Sequence, residues 1–579
     1  MIYGMDKFMG KMLEEHAITG RKQGAFSDGA PDGYQKTFSN KLNKDQRKMK
    51  KYIGLLSVLF ILPLSVDASI IYVSPTGNDE LARPDDPDLP FLTLQAALDQ
   101  TADGDTVRIA GGTYPVTPVV VPWYEPLPEK MAPVRMIQKS NITIEGQEDT
   151  LIYAPGAGDV FAMIDCTNIV VRGIRFESDN PPVPDGKLNG QSVPLLYSTL
   201  HLRKNNDGIS ISNCQFSGFG NHAISHLWSP KTSQNVTVTD CSFYNGGATN
   251  VTNLEVDGAA VSGIGSHWLV ESNYVENCQR GFEIECFSSN LKHDIRIRRN
   301  TLTNILERGI MLFATCQDTN VPVNFSDITI AHNKLIRVSY GIFVSGGDRI
   351  KITDNSVSYS DQVGIAALAS FNNLSNVEVS RNHVDNCIER GIQVNSPSRY
   401  NYKLSHAVIE DNNVSVTGNS GILVAGDDIL VQRNICRNCG WMGMFSGIQT
   451  LGNDVRMIGN RLSNSGTGFM KYGIYIQFGS TNNYLADNLI IAPSIAPIFD
   501  AGENTIYKYA LTIAGNNDGQ FIVTSISGPD YNVSLYASGD LEQWRLIDTQ
   551  VSDSKGIATF TYTPETPDSK VFFRAAQDR

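Results

Sequence analysis

Residues 328–394 read ITIAHNKLIRVSYGIFVSGGDRIKITDNSVSYSDQVGIAALASFNNLSNVEVSRNHVDNCIERGIQV, and one unit occurs in them three times. Each copy has a short strand of alternating apolar residues that closes on an asparagine (Asn333, Asn355, Asn382). Eight or nine residues later a second strand opens on a glycine (Gly341, Gly364, Gly391). Working outward, the corner residue recurs as Cys214, Cys241, Asn273, Asn300, Asn412, Asn434, Asn460 and Asn488, at steps of 22 to 33 residues. The glycine recurs at Gly281, Gly309, Gly421, Gly447 and Gly473. Period-2 alternation gives each strand one apolar face. A single unit cannot bury that face, but units stacked about 4.8 Å apart bury all of them in one core. An Asn at the same corner of every turn can bond the Asn above and below it, satisfying turn amides that would otherwise be buried without partners.

Upstream of the repeat come Ile71-Tyr-Val-Ser-Pro-Thr-Gly-Asn, Pro90-Phe-Leu-Thr-Leu-Gln-Ala-Ala-Leu and Gly104-Asp-Thr-Val-Arg-Ile-Ala-Gly-Gly-Thr-Tyr114. With these the chain resembles the pectate-lyase-like superfamily of right-handed parallel β-helices. The resemblance covers about residues 70–500 and implies an opening strand, a capping helix and an all-β solenoid. Such members include lyases, glycosidases, epimerases, esterases and phage tailspikes, so fold alone does not fix the reaction. After the repeat, alternating strands and glycine turns predict a small β-sandwich-like domain over 506–579. It is either an accessory module or a cap over the open end of the helix.

Met49-Lys-Lys, an apolar run to Leu64 and small residues at Val66 and Ala68 form a signal-peptide pattern over 49–68. The apolar run is too short for a membrane span. Residues 1–48 show no apolar period and are expected to be a mis-assigned leader, leaving the β-helix domain as 69–505. A secreted, periplasmic or cell-surface protein is expected. The formal net charge is -13 and no basic stripe appears, which argues against a nucleic-acid partner. Six of the nine cysteines fall in corner or core slots of the repeat (Cys214, Cys241, Cys278, Cys387, Cys436, Cys439), where a thiol packs well. Cys436-x-x-Cys439 lacks the second ligand pair that a zinc site needs.

Aligning the second strands on their glycine shows which side chains turn away from the core. Ionisable groups gather on about five turns: His201, Arg203, His222, Asp257, Arg280, Glu283, Glu285 and Arg308. In polygalacturonases and pectate lyases this strand face holds the active groove, which is what the resemblance implies here. Asp257, Glu283, Glu285 and His222 are the catalytic candidates. Close carboxylates shift one another's pKa, as a glycosidase acid–base pair requires. His201, Arg203, Arg280, Arg308, Trp228, Tyr340 and Arg390 are the substrate-binding candidates. Alternatively the same charges form a structural ion-pair cluster. The Asp-Asp pair and Gly-His-Gly of polygalacturonases are absent, and no calcium cluster of the pectate-lyase kind is evident. No cofactor is therefore expected, with calcium left open. Three functions remain: a glycoside hydrolase, favoured; a lyase or epimerase on uronic acids, with Arg280 or Arg308 neutralising the sugar carboxylate; and a non-catalytic carbohydrate binder. The expected partner is a polysaccharide.

Overall fold

The computed structural model describes residues 68–578 except 120–131, 157, 180–185, 189–190, 194–197, 227–232, 248–257, 287–290, 315–324, 371, 398–401, 443–445, 466–469, 509, 516–519, 527–531, 554–556 and 565–570. The expected leader, and the signal segment up to Asp67, lie outside the described residues.

Each turn lays down three short strands, and each pairs in parallel with its counterpart one turn on. The strand that leads to the asparagine corner forms a 16-stranded sheet running from Ile70–Val73 to Ile506–Lys508. The strand just after the corner forms a second track, with Leu302, Leu335, Val357 and Val384 in register. The strand at the glycine forms a third, with Met311, Phe343, Ala366, Gln393, Leu423, Gln449, Tyr475 and Phe499 in register. This is a parallel β-helix with three faces. One turn shows how the alternation fills its interior: Ile295, Ile297, Leu302, Ile305, Ile310 and Leu312 are all 2% exposed or less. Like residues stack between turns, as in Phe176, Phe216 and Phe243, whose rings lie 5.0 and 5.2 Å apart and nearly parallel.

The corner is a continuous amide chain. From Asn273 to Asn460, each backbone N–H donates to the side-chain carbonyl of the next corner asparagine, at 2.9 to 3.1 Å. Each side-chain NH2 donates to that same oxygen and to the carbonyl of a core strand residue, as Asn355 does to Asn382 and Ile330. Cys214 and Cys241 fill the earlier corners as buried free thiols. The glycine column has a steric cause. A Cβ on Gly364 would sit 2.4 Å from Val384 Cγ1 and 2.8 Å from the carbonyl oxygen of Gly391, and Gly281, Gly309, Gly341, Gly391 and Gly421 meet the next turn in the same way.

The outer side of the 16-stranded sheet carries exposed ion pairs. Arg349 pairs with Asp327, Arg381 with Asp354, Arg433 with Asp411, and Arg108 and Arg172 with Glu145. Helix Leu94–Gln100 packs Leu94, Ala97 and Leu98 into the core near the first strand; its N-cap Thr93 accepts from the Ala96 N–H. Toward the C-terminus, Ala510–Gly515 pairs in parallel with Leu489–Ile491 and antiparallel with Phe521–Ile526. A three-stranded antiparallel sheet follows, and Val523, Val533, Leu535, Ala558 and Phe560 form a small core of their own. Among the described residues no helix is long and apolar enough to cross a membrane.

Candidate functional site

The outer side of the glycine track divides into three stretches. The first is a buried polar cluster around Asp159. Register places Asp159, Ser198 and His222 in one column on successive turns. Asp159 is fully buried and accepts from the Ser198 backbone N–H at 2.8 Å. Its second oxygen takes the Arg203 guanidinium and lies 3.1 Å from His201 Nδ1. Burial raises the Asp159 pKa, but His201 and Arg203 more than offset this and hold the carboxyl below its usual range. Burial lowers the pKa of His201, and the Asp159 carboxylate opposes that shift. Asp159 was missed in the sequence. It occupies the slot two turns before His222, where the column of charges had not been followed, and extending the column by two turns would have found it.

The second stretch corrects the expected open groove. Glu283 is only 1% exposed. It accepts from Ser262 Oγ at 2.9 Å and from Arg280 at 2.8 Å. Arg280 also binds Glu307 at 2.6 Å, so one guanidinium bridges two carboxylates, and Gln279 donates to Glu307 as well. His201, His222 and Arg280 are likewise buried rather than solvent-facing, and His222 Nδ1 lies 3.4 Å from the Ala259 backbone N–H. Alternation gives a side chain's direction relative to the core; it does not say what covers the face. Asp257 and Trp228 lie outside the described residues, as does the Glu285 side chain, whose backbone pairs with Phe313. Trp268 is a core residue that donates to the Ser233 carbonyl.

The third stretch is an apolar shelf with two arginines. Met311, Phe343, Val363 and Ala366 form a cluster flanked by Tyr340. The Arg308 guanidinium lies 4.9 Å over the Phe343 ring and 6.0 Å from that of Tyr340. Its hydrogen bond is to Met311 Sδ at 3.2 Å, and its Nε is buried without a partner. Among the described residues no carboxylate lies within ion-pair distance of it. Burial, and then the neighbouring Arg280, lower its pKa. Burial also raises that of the Tyr340 phenol. Arg390 is 25% exposed with an unpartnered Nε; it reaches Gln393 at 3.3 Å and Glu389 at 3.7 Å. No group of three or more His, Cys, Asp or Glu side chains among the described residues is arranged to hold a metal ion.

A family model described as the right-handed beta helix region matches residues 319–490. The chain folds as a right-handed parallel β-helix. This β-helix is 39% identical over 69 residues to a pectate lyase, PEL9, of Emericella nidulans. That match covers 12% of the chain and 16% of the length of the curated relative. Among solved structures it is similar to the tailspike protein of E. coli bacteriophage HK620 in complex with pentasaccharide, at 13% identity and TM-score 0.44, covering 87% of this chain and 92% of that one. It is also similar to the A-module of the mannuronan C-5 epimerase AlgE4 of Azotobacter vinelandii, at 14% identity and TM-score 0.38, over 75% and 99% of the two chains. PfbA, a surface adhesin of Streptococcus pneumoniae, is similar at 15% identity and TM-score 0.38, over 79% and 95%.

Proposed function

We propose that this β-helix is an extracellular polysaccharide-active enzyme acting on acidic glycans by β-elimination at a uronate residue. Arg308 carries this reading. A guanidinium held over two aromatic rings, with a sulfur atom as its acceptor, is a cation prepared for an external anion. A carboxylate bound there would make the adjacent C–H more acidic by stabilising negative charge as the proton leaves. Elimination then breaks the glycosidic C–O bond and leaves a C=C bond in the sugar. The leaving oxygen needs a proton, and Tyr340 lies on the next turn with a phenol that burial keeps protonated. The candidate proton acceptor is Glu307, which precedes Arg308 on the same strand and is held by Gln279 and Arg280, and Glu307→Gln would test it. The short likeness to a pectate lyase supports the same chemistry.

Hydrolysis draws less support. A glycosidase needs two carboxylates open to the sugar, whereas Glu283 is buried and bound by Ser262 and Arg280. The test is a panel of acidic and neutral glycans. Ultraviolet-absorbing unsaturated product on a polyuronate is the expected result, lost in Arg308→Gln. New reducing ends without that absorbance would make the protein a hydrolase, and neither signal would make it a binder.

A further inference from the structure

We infer that Arg390 is a second anion-binding subsite on the same track, so that the protein engages a glycan bearing carboxylates at intervals rather than a single acidic sugar. The inference rests on Arg308 being the first anchor. Tyr340 and Val363 occupy the two turns between the arginines, since Tyr340 pairs with Arg308 in register and Arg390 lies one turn beyond Val363. Three turns separate the two stems by about 14 Å, roughly the length of three pyranose rings in an extended chain.

The two residues share an environment that is rare for arginine on this molecule. On the 16-stranded face Arg349, Arg381 and Arg433 each lie against a carboxylate at 2.7 to 2.9 Å. Arg308 has none within ion-pair distance among the described residues, and Arg390 has only Glu389 at 3.7 Å. Both have an Nε that is buried without a partner. An unsatisfied guanidinium donor costs free energy unless a ligand supplies the acceptor. Between the arginines the half-buried Tyr340 packs against the buried Phe343 and Val363, and its ring suits the C–H face of a sugar ring. Beyond Arg390, Gln393 and Asn395 add amide donors and acceptors. The arrangement fits an acidic chain of at least four residues, with an anionic group on each arginine and rings resting between them.

The experiment is titration calorimetry of the full chain with galacturonate oligomers of three and six residues, and with a sulfated galactan hexamer. Wild-type protein should bind the galacturonate hexamer more tightly than the trimer. Arg390→Gln should weaken the hexamer about tenfold, the loss of one charge-assisted contact, and leave the trimer within about twofold. Arg308→Gln should weaken both. The trimer is the internal control for folding, since a misfolded variant would lose it too. If Arg390→Gln binds the hexamer like wild type while Arg308→Gln loses both oligomers, the second subsite is refuted and the proposed function stands. If Arg308→Gln binds both normally, or wild type binds no galacturonate, the proposed function falls and the subsite with it. An Arg390-dependent gain seen with the sulfated hexamer and absent with galacturonate would overturn the carboxylate assignment.

Discussion

Asn355 shows what a single side chain does in this architecture. It accepts from the Asn333 backbone and side chain, and donates to Ile330 and Asn382, all in a dry corner. Asn355→Ala leaves those groups unpaired and should cost about 1 to 3 kcal/mol in chemical denaturation; an unchanged midpoint would mean that water replaces the amide. At Glu283→Leu the Ser262 hydroxyl loses its acceptor and Arg280 loses a carboxylate partner, while Glu307 remains bound to it. A loss of about 3 kcal/mol is expected, as when one partner of a buried pair is removed. If stability holds and turnover alone disappears, Glu283 is an acid or base after all. The asparagines were legible in the sequence because identity at a fixed corner survives variation elsewhere. The Arg280–Glu283 pair was legible as one of two readings, the structural ion-pair cluster; its burial was not, nor the second carboxylate on Arg280, because Glu307 lies outside the alternation. Arg308 was visible as a charge, but its lack of a carboxylate becomes apparent only when every neighbour is placed.

At the level of the strand, glycine and charge each make a checkable statement. The glycine column was legible from spacing, yet its cause is the approach of the next turn's carbonyl. Gly364→Val should therefore destabilise by about 1 to 3 kcal/mol through overpacking, and thermal unfolding would show it. The ion pairs on the 16-stranded face set an acid limit. Bonding from Arg349 brings the Asp327 carboxyl down to about 2, and arginines likewise lower Asp354, Asp411 and Glu145. A lowered folded-state pKa gives stability that is full above the unfolded value, near 4, and is lost as pH falls toward 2. The melting temperature should drop across that window. Because these pairs are exposed, the drop should shrink at high salt; a salt-independent drop would point instead to the buried Asp159 cluster. Strand positions were legible throughout the repeat, since two periodicities and a corner residue agree. The covered state of the polar stretch was not, because nothing in a strand's own sequence records what lies across it.

Taken whole, the chain carries a formal charge of -13 yet is assigned an acidic ligand. Long-range repulsion then opposes encounter, while the anchoring arginines act at contact in a partly buried setting where salt screens them less. Association of a polyuronate should accordingly speed up between about 10 and 150 mM salt, as the Debye length shrinks from about 30 to 8 Å. Stopped-flow measurement would check this, and a rate that falls with salt would place binding on a basic surface elsewhere. The asparagine corner has a last consequence. Successive corners lie 22 to 33 residues apart in sequence, yet the N–H to side-chain carbonyl hydrogen bonds joining them vary only between 2.9 and 3.1 Å. The corner acts as a datum line from which every turn is measured afresh. Extra residues inserted on one turn are absorbed before the next rung and pass no error along the stack. The walls beside the arginine shelf are therefore free to lengthen, shorten or change chemistry one turn at a time, so a lineage can alter what the protein grips without redesigning the column that holds it upright.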